Sequence, residues 1–149
     1  MNNFEVKLND LLVNTFNSIL KYEETSLRAI SETPVTIGEV HMIERIARRK
    51  GGSSVSEIAE DMDIALPTAT VAVKKLERKG FVTRTPNSED GRRSIITLTP
   101  LGERIEHAHS IFHRRMVRNI SRSFNESEQE VLIEAISKLN DFFIKQTEE

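Results

Sequence analysis

The 149-residue sequence predicts a mainly α-helical fold with one small β-hairpin. Apolar residues recur at helical spacing in long segments near both ends of the chain. Two short runs rich in β-branched residues, FVTRT and SIITL, flank the segment PNSEDGRR, whose Asp-Gly pair is a turn signal. Pro67 stands where the first turn of a helix tolerates proline, and Gly80 stands where that helix ends. These observations place a hairpin between two groups of helices.

Local signals divide the first half of the chain into four helices. The first covers residues 4–30, which contain no glycine or proline. Thr36 and Glu39 form a capping-box pattern at the start of the second helix. Ser54 or Ser56 caps a short third helix, and the fourth helix follows it directly.

Two further helices follow the hairpin. One opens at Thr99-Pro100 and continues to about Ser123, and the other carries an apolar stripe that includes Leu132 and Phe143. The last helix begins at one of three residues, namely Asn125, Glu126 or Ser127.

Three short helices followed by a hairpin make a winged helix-turn-helix, which is predicted for residues 36–100. Helical regions at 1–35 and 101–149 flank it. The apolar faces of these flanking helices need a partner in water. A second copy of the chain is the simplest partner, so the flanking regions are predicted to form the dimerisation region of a homodimer.

Composition excludes several classes of function. Without cysteine, the chain has no disulfide framework, thiolate metal site or thiol nucleophile. No apolar run approaches the length of a membrane span, and the N-terminus lacks a signal-peptide pattern, so a soluble cytoplasmic protein is expected. There is also no Gly-rich phosphate loop and no Ser-His-Asp signal, and the protein is not expected to be an enzyme.

The net charge of −2 hides a segregation of charge along the chain. Residues 65–93 hold seven Lys or Arg against three Asp or Glu, a net +4. Residues 126–149 hold two Lys against seven acidic residues, a net −5. A basic fourth helix and hairpin within an acidic protein indicate a polyanionic partner for that segment.

The fourth helix predicts a surface for the major groove of double-stranded DNA. With Ala69 inward, Ala72, Val73 and Leu76 share the buried face. The opposite face carries short and hydroxyl-bearing residues near the start of the helix, which allow close approach to base edges, and cations further along, which reach phosphates. The alternative is an ordinary solvated face. The predicted DNA-facing residues are Pro67, Thr68, Thr70, Val71, Lys74, Lys75 and Arg78.

The hairpin loop predicts a second contact, in the minor groove. Arg92 or Arg93 can reach that groove, whose negative potential attracts guanidinium groups. Asp90 is placed to pair with Arg92 and fix its direction. The alternative is a plain turn with a surface ion pair. A winged-helix protein-interaction module would instead carry an uncharged or acidic fourth helix.

The chain resembles the MarR family of dimeric winged-helix transcriptional regulators over nearly its full length. The resemblance is carried by Leu76-Glu-Arg-Lys-Gly80, by the acidic-x-arginine motif at Asp90 and Arg92, and by Leu98-Thr-x-x-Gly102. It implies major-groove contacts by Thr68, Thr70, Val71 and Lys74, and a minor-groove contact by Arg92. It also implies a repressor, and a two-fold dimer would bind an inverted-repeat operator.

Within the family, the segments EETSLR, IGEVHMI and FHRRMVRNI resemble the fatty-acid-synthesis repressors. That branch implies a response to long-chain acyl–acyl carrier protein, with an acyl tunnel lined by the first, second and fifth helices. The alternative is that the apolar candidates are ordinary core residues. These effector-pocket candidates are Phe16, Leu20, Met42, Ile43 and Phe112.

Histidines provide a rival prediction. His109 and His113 are four residues apart and share one helix face, as a metal pair requires. His41 and Glu24 supply two further ligands if their helices converge. Zinc-uptake repressors of the same family have one Glu and three His at similar places, although this chain lacks the cysteine of their second site. The alternative is that the histidines are hydrogen-bonded at a helix junction or lie at the surface.

Overall fold

The computed structural model describes residues 1–87 and 93–147, and its element order agrees with the predicted fold class. Among these residues, no helix combines the length and the apolarity needed to cross a membrane. The chain divides into two compact units, Met1–Ser110 and Ile111–Glu149. The finer division into a winged helix-turn-helix at 36–100 and flanking dimerisation regions stays a prediction.

In chain order the elements are α1 (Asn3–Arg28), α2 (Ile37–Arg48), α3 (Val55–Asp61), α4 (Leu66–Arg78), β1 (Val82–Pro86), β2 (Ser94–Leu98), α5 (Pro100–Ser121) and α6 (Glu126–Thr147).

Side-chain caps fix several helix starts. Thr36 and Glu39 form the predicted capping box of α2, in which each side chain accepts a hydrogen bond from the other residue's backbone N–H. Ser54, rather than Ser56, caps α3. Asn125 accepts from the backbone N–H of Glu128 and thereby caps α6. Each cap satisfies backbone donors that a helix leaves unpaired at its start.

The ends of α2 and α3 are joined by an ion pair. The guanidinium of Arg49 donates from Nε and Nη2 to the two carboxylate oxygens of Asp61, each at 2.8 Å. The hydrogen bonds from Arg49 lower the pKa of the Asp61 carboxyl. This pair links the residue after α2 to the last residue of α3, the helix that precedes α4.

The hairpin is antiparallel, with Val82 opposite Leu98 and Pro86 opposite Ser94. The loop before α3 pairs with the second strand, because Ser53 and Ile96 exchange backbone hydrogen bonds of 3.0 and 2.8 Å. Gly52 precedes this bridge at φ +93°, and a β-carbon there would lie 2.6 Å from the carbonyl oxygen of Ile96. Glycine is therefore required for this close approach.

The core of the first unit lies between α2, α3, α4 and the hairpin. Phe81 is its largest fully buried side chain and follows directly after α4. The backbone N–H of Thr99 donates to the carbonyl oxygen of Phe81 at 3.1 Å, and the Thr99 hydroxyl accepts from the N–H of Gly102. These bonds join the end of the hairpin to the first turn of α5. The buried hydrophobic residues with no exposed surface are Val40, Ile43, Ala69, Val73, Leu76, Phe81, Ile96 and Ile105.

Candidate nucleic-acid interface

Helix α4 presents the predicted face to solvent. Ala69, Val73 and Leu76 are 0% exposed, so one side of the helix is fixed in the core. On the opposite side Val71 is 66% exposed, and Thr68 is exposed as well. The predicted inward positions of Ala69, Val73 and Leu76 are therefore confirmed, and Ala72 is half-buried beside them. Pro67 lies in the first turn and is also exposed.

Thr70 lies at the edge of this face and is half-buried. Its hydroxyl donates to the carbonyl oxygen of Leu66 at 2.9 Å. The donor of Thr70 is thus occupied within the helix, and only its lone pairs remain for a base edge. Thr68, two residues earlier, is exposed and is the more accessible hydroxyl.

The cations of α4 divide into two sets. Lys74 and Arg78 are exposed on the outer face. Lys75 Nζ instead lies 3.6 Å from a Glu39 carboxylate oxygen, and Lys79 Nζ lies 2.9 Å from the same oxygen. Lys75, which is predicted to contact DNA, therefore forms an ion pair with a carboxylate of α2. Sequence periodicity does not reveal this pair.

Glu39 is the centre of this second set. Burial raises the pKa of the Glu39 carboxyl, but the hydrogen bond from the Thr36 backbone N–H and the ammonium groups of Lys79 and Lys75 outweigh it. The pKa is therefore lowered from its ordinary value of 4.5. Lys79 also donates to the carbonyl oxygen of Pro34 at 2.9 Å, so this network joins the start of α2 to the end of α4.

Replacing Glu39 with Gln is expected to lower the free energy of unfolding at pH 7 by about 1–3 kcal/mol, because a buried charged partner is lost. A lowered folded-state pKa means that the carboxylate stabilises the protein above the unfolded-state value near 4.5, and that this contribution disappears as pH falls through the folded-state value. Urea unfolding of both proteins at several pH values measures the difference. The two stabilities should converge in acid, and equal stability at pH 7 would contradict the role given to Glu39.

One of the two arginines predicted to contact the minor groove lies among the described residues of the hairpin. Arg93 is exposed directly before β2, and its carbonyl oxygen accepts from the Asn87 N–H at 2.8 Å, which continues the hairpin pairing. Asp90 and Arg92 lie outside the described residues. The predicted pairing of these two side chains, and the choice between Arg92 and Arg93 for the minor groove, stay predictions.

A groove between α4 and β1 contains residues that the sequence prediction of the interface omitted. It has a volume of about 680 Å³ and is lined by outer-face residues of α4 together with Arg84 of β1. Arg84 Nε lies 3.3 Å from a carboxylate oxygen of Glu77. The sequence signals for Arg84 are its place in the basic segment 65–93 and its position two residues after buried Val82, which places both side chains on one side of the strand.

Comparison with known proteins decides the family. A model of the MarR family matches residues 35–94. The HTH-type transcriptional regulator BilQ of Clostridium symbiosum is 33% identical over 106 residues, which are 70% of this chain and 72% of that protein. This chain belongs to the MarR family.

Solved structures of MarR-type proteins extend the similarity to nearly the whole chain. The crystal structure of Streptococcus pneumoniae FabT in complex with DNA matches with a TM-score of 0.85 and 29% identity, covering 95% of this chain and 99% of that one. An S. aureus MepR F27L mutant bound to oligodeoxyribonucleotide matches at 0.62 and 21% identity, over 91% and 97% of the two chains, and so shows the fold. The chain is thus a MarR-family DNA-binding transcriptional regulator and not an enzyme.

The predicted effector residues of this MarR-family chain occupy different environments. Met42 and Ile43 of α2 are buried in the core of the first unit. Leu20 of α1 is half-buried, whereas Phe16 is 63% exposed. Phe112 lies in the second unit and is half-buried. Met42 and Ile43 therefore have the surroundings of ordinary core residues, and the acyl tunnel stays a prediction.

The predicted metal ligands are also placed differently from one another. His109 of α5 is 1% exposed, and its two ring nitrogens contact two carboxylates: Nδ1 lies 2.6 Å from Glu44 Oε1 and Nε2 lies 2.5 Å from Glu23 Oε1. This hydrogen bonding is what the helix-junction alternative predicts for His109. Glu24 is exposed, so the carboxylate that α1 directs toward His109 is Glu23.

The two remaining histidines are less enclosed. His41 is exposed, but its Nε2 lies 3.8 Å from Glu23 Oε1. His113 lies in the second unit, one helical turn after His109, and is half-buried against Phe112. The first unit therefore brings together two carboxylates, Glu23 and Glu44, and two imidazoles from three helices, with Glu23 in the place that the sequence prediction gave to Glu24.

Proposed function

We propose that this protein is a sequence-specific repressor that binds an inverted-repeat operator in double-stranded DNA as a homodimer. The exposed outer face of α4 carries the proposal, because it combines an accessible hydroxyl and apolar contact at Thr68 and Val71 with cations at Lys74 and Arg78. These are the groups that major-groove binding requires. The similarity to FabT, whose crystal structure is a complex with DNA, supports DNA as the partner.

Exposed apolar side chains support the homodimer. Phe4 and Phe16 of α1 are exposed in the first unit, and Val131 and Ile133 of α6 are exposed in the second. Large apolar groups of this kind are commonly covered by a second subunit. Two copies of α4 related by a two-fold axis would contact half-sites about one helical turn apart.

Selection of bound duplexes from a random library, followed by binding titrations, tests this proposal. Changing Thr68 to Ala is expected to alter the preferred sequence at one symmetric pair of positions, with discrimination there reduced by about 1–3 kcal/mol. Thr85→Ala, an exposed threonine of β1, is the matched control and should keep the sequence preference. Failure of the wild-type protein to enrich any sequence would reject the proposal and favour a protein-interaction module.

We propose first that the operator controls genes of fatty-acid synthesis. Long-chain acyl–acyl carrier protein is the proposed effector. The similarity to FabT over nearly the full length of both chains supports this choice. Adding acyl–acyl carrier protein to an operator-binding titration should change the affinity, whereas the carrier protein without its acyl chain should not. Equal affinities with no addition, with acyl–acyl carrier protein and with the unacylated carrier protein would reject this effector.

A zinc response is the second candidate, favoured by the contacts around His109. Glu23, His41 and His109 offer oxygen and nitrogen donors that suit zinc. Glu44 contacts His109 Nδ1, and a carboxylate commonly holds the other ring nitrogen of a metal-bound histidine in this way. Zinc would replace the direct contact between Glu23 and His109 Nε2. Elemental analysis and calorimetric zinc titration, with His109→Ala beside the wild type, test this candidate; no binding would reject it.

A further inference from the structure

The groove between α4 and β1 contains a carboxylate among its cations. Glu77 lies beside Lys74, Arg78 and Arg84, and its carboxylate pairs with the Arg84 guanidinium at 3.3 Å. A negative charge on the surface that faces a polyanion opposes binding by electrostatic repulsion. The presence of Glu77 on this surface therefore requires a different explanation from that of its cationic neighbours.

The ion pair between Glu77 and Arg84 is too exposed to be a strong structural brace. The side chains are 41% and 32% exposed, respectively. Ion pairs with this exposure contribute little to stability because water screens the attraction. A phosphate accepts guanidinium hydrogen bonds at least as well as a carboxylate does, so a DNA phosphate can displace Glu77 at small cost.

We propose that Arg84 is a further phosphate-binding residue of the interface and that Glu77 is its internal competitor. In the free protein Glu77 holds the Arg84 guanidinium in the groove, and a backbone phosphate of DNA replaces Glu77 when the complex forms. Glu77 thereby lowers the affinity for DNA, since the ion pair is broken and a carboxylate remains near the phosphate. This inference rests on the proposed function and adds one contact and one opposing charge to it.

The competitor role and a bracing role predict changes of opposite sign in the affinity for DNA when Glu77 is replaced. If Glu77 only held β1 against α4, its removal would loosen the groove and weaken DNA binding. If Glu77 competes with phosphate, Glu77→Gln strengthens binding, and the gain is larger while Arg84 is present, because without Arg84 only the repulsion by the carboxylate is removed. The double variant with Arg84→Ala therefore separates the two roles.

Fluorescence-anisotropy titrations with the selected duplex, over a series of salt concentrations, measure these effects. Glu77→Gln should raise the affinity about two- to fivefold, as expected for release of an exposed ion pair. Arg84→Ala should lower the affinity and reduce the slope of log K against log salt by about 0.9 for each protomer, because one phosphate contact is lost. Arg84→Lys should retain most of the slope, since the charge is kept.

Matched controls come from another exposed ion pair. Lys138 Nζ lies 2.6 Å from Glu134 Oε1 on α6, so Glu134→Gln and Lys138→Ala make the same changes in charge outside the groove. Circular dichroism melts verify that each variant is folded.

Three results would overturn the inference: weaker binding by Glu77→Gln, a gain in affinity no larger than that of Glu134→Gln, or the same gain in the absence of Arg84. If the wild type binds no duplex even at low salt, the proposed function itself fails; if it binds but the variants match their controls, only this inference fails.

Discussion

Replacing Gly102 with Ala is expected to destabilise the protein by about 1–3 kcal/mol, the usual cost of forcing extra volume into a packed site. A β-carbon on Gly102 would overlap the carbonyl oxygen of Phe81, which is backbone and already accepts a hydrogen bond from the Thr99 N–H. Relief of this overlap requires α5 to move away from the end of the hairpin. Urea unfolding followed by circular dichroism measures the loss.

Gly38→Ala is the matched control for this prediction. Gly38 also lies in the first turn of a helix, but a β-carbon there would meet no atom within 4 Å. Alanine favours helix more than glycine does, so this variant should stabilise the protein by about 0.5–1 kcal/mol. Equal effects of the two substitutions would show that close packing against Phe81 is not the reason for glycine at position 102.

Replacing Lys74 with Glu should reduce the affinity for DNA on the order of a hundredfold, for specific and arbitrary duplexes alike. Lys74 is exposed on the outer face of α4 and lines the groove beside Arg78. Reversal of its charge removes a charge-assisted contact worth about 1.5–3 kcal/mol and adds repulsion. Anisotropy titrations with the selected duplex and a scrambled one measure both affinities.

Lys138→Glu is the control for the change in net charge. Lys138 is exposed on α6 in the second unit, where its partner is Glu134. Because Lys138 is not among the residues that line the α4 groove, this substitution should change the affinity much less. A comparable loss in both variants would mean that total charge, and not the α4 face, governs binding.

Local patterns account for the parts of the fold that the sequence predicted. The capping residues Thr36 and Glu39 are three positions apart, so their interaction is visible in the sequence itself. The same is true of the buried stripe of α4, where Ala69, Val73 and Leu76 recur at helical spacing. The family resemblance was confirmed, and the element order followed from these local signals.

Contacts between distant segments account for what the sequence did not predict. The pairing of Lys75 with Glu39 joins residues on different helices, and no periodic pattern encodes it. The choice of Glu24 instead of Glu23 reflects helical phase, because neighbouring residues point about 100° apart around a helix and only packing shows which one turns inward. The Arg84–Glu77 pair likewise appears only when the strand lies against α4.

The bridge between Ser53 and Ile96 has a mechanical consequence. It fastens the base of the hairpin to the loop that leads into α3, while the bond from Thr99 to Phe81 fastens it to the end of α4. In the proposed function, the hairpin base and the fourth helix would therefore approach a duplex together, with a fixed opening between them. In the proposed complex, a duplex whose twist mismatches that opening would have to be deformed at an energetic cost, even where its bases are correct.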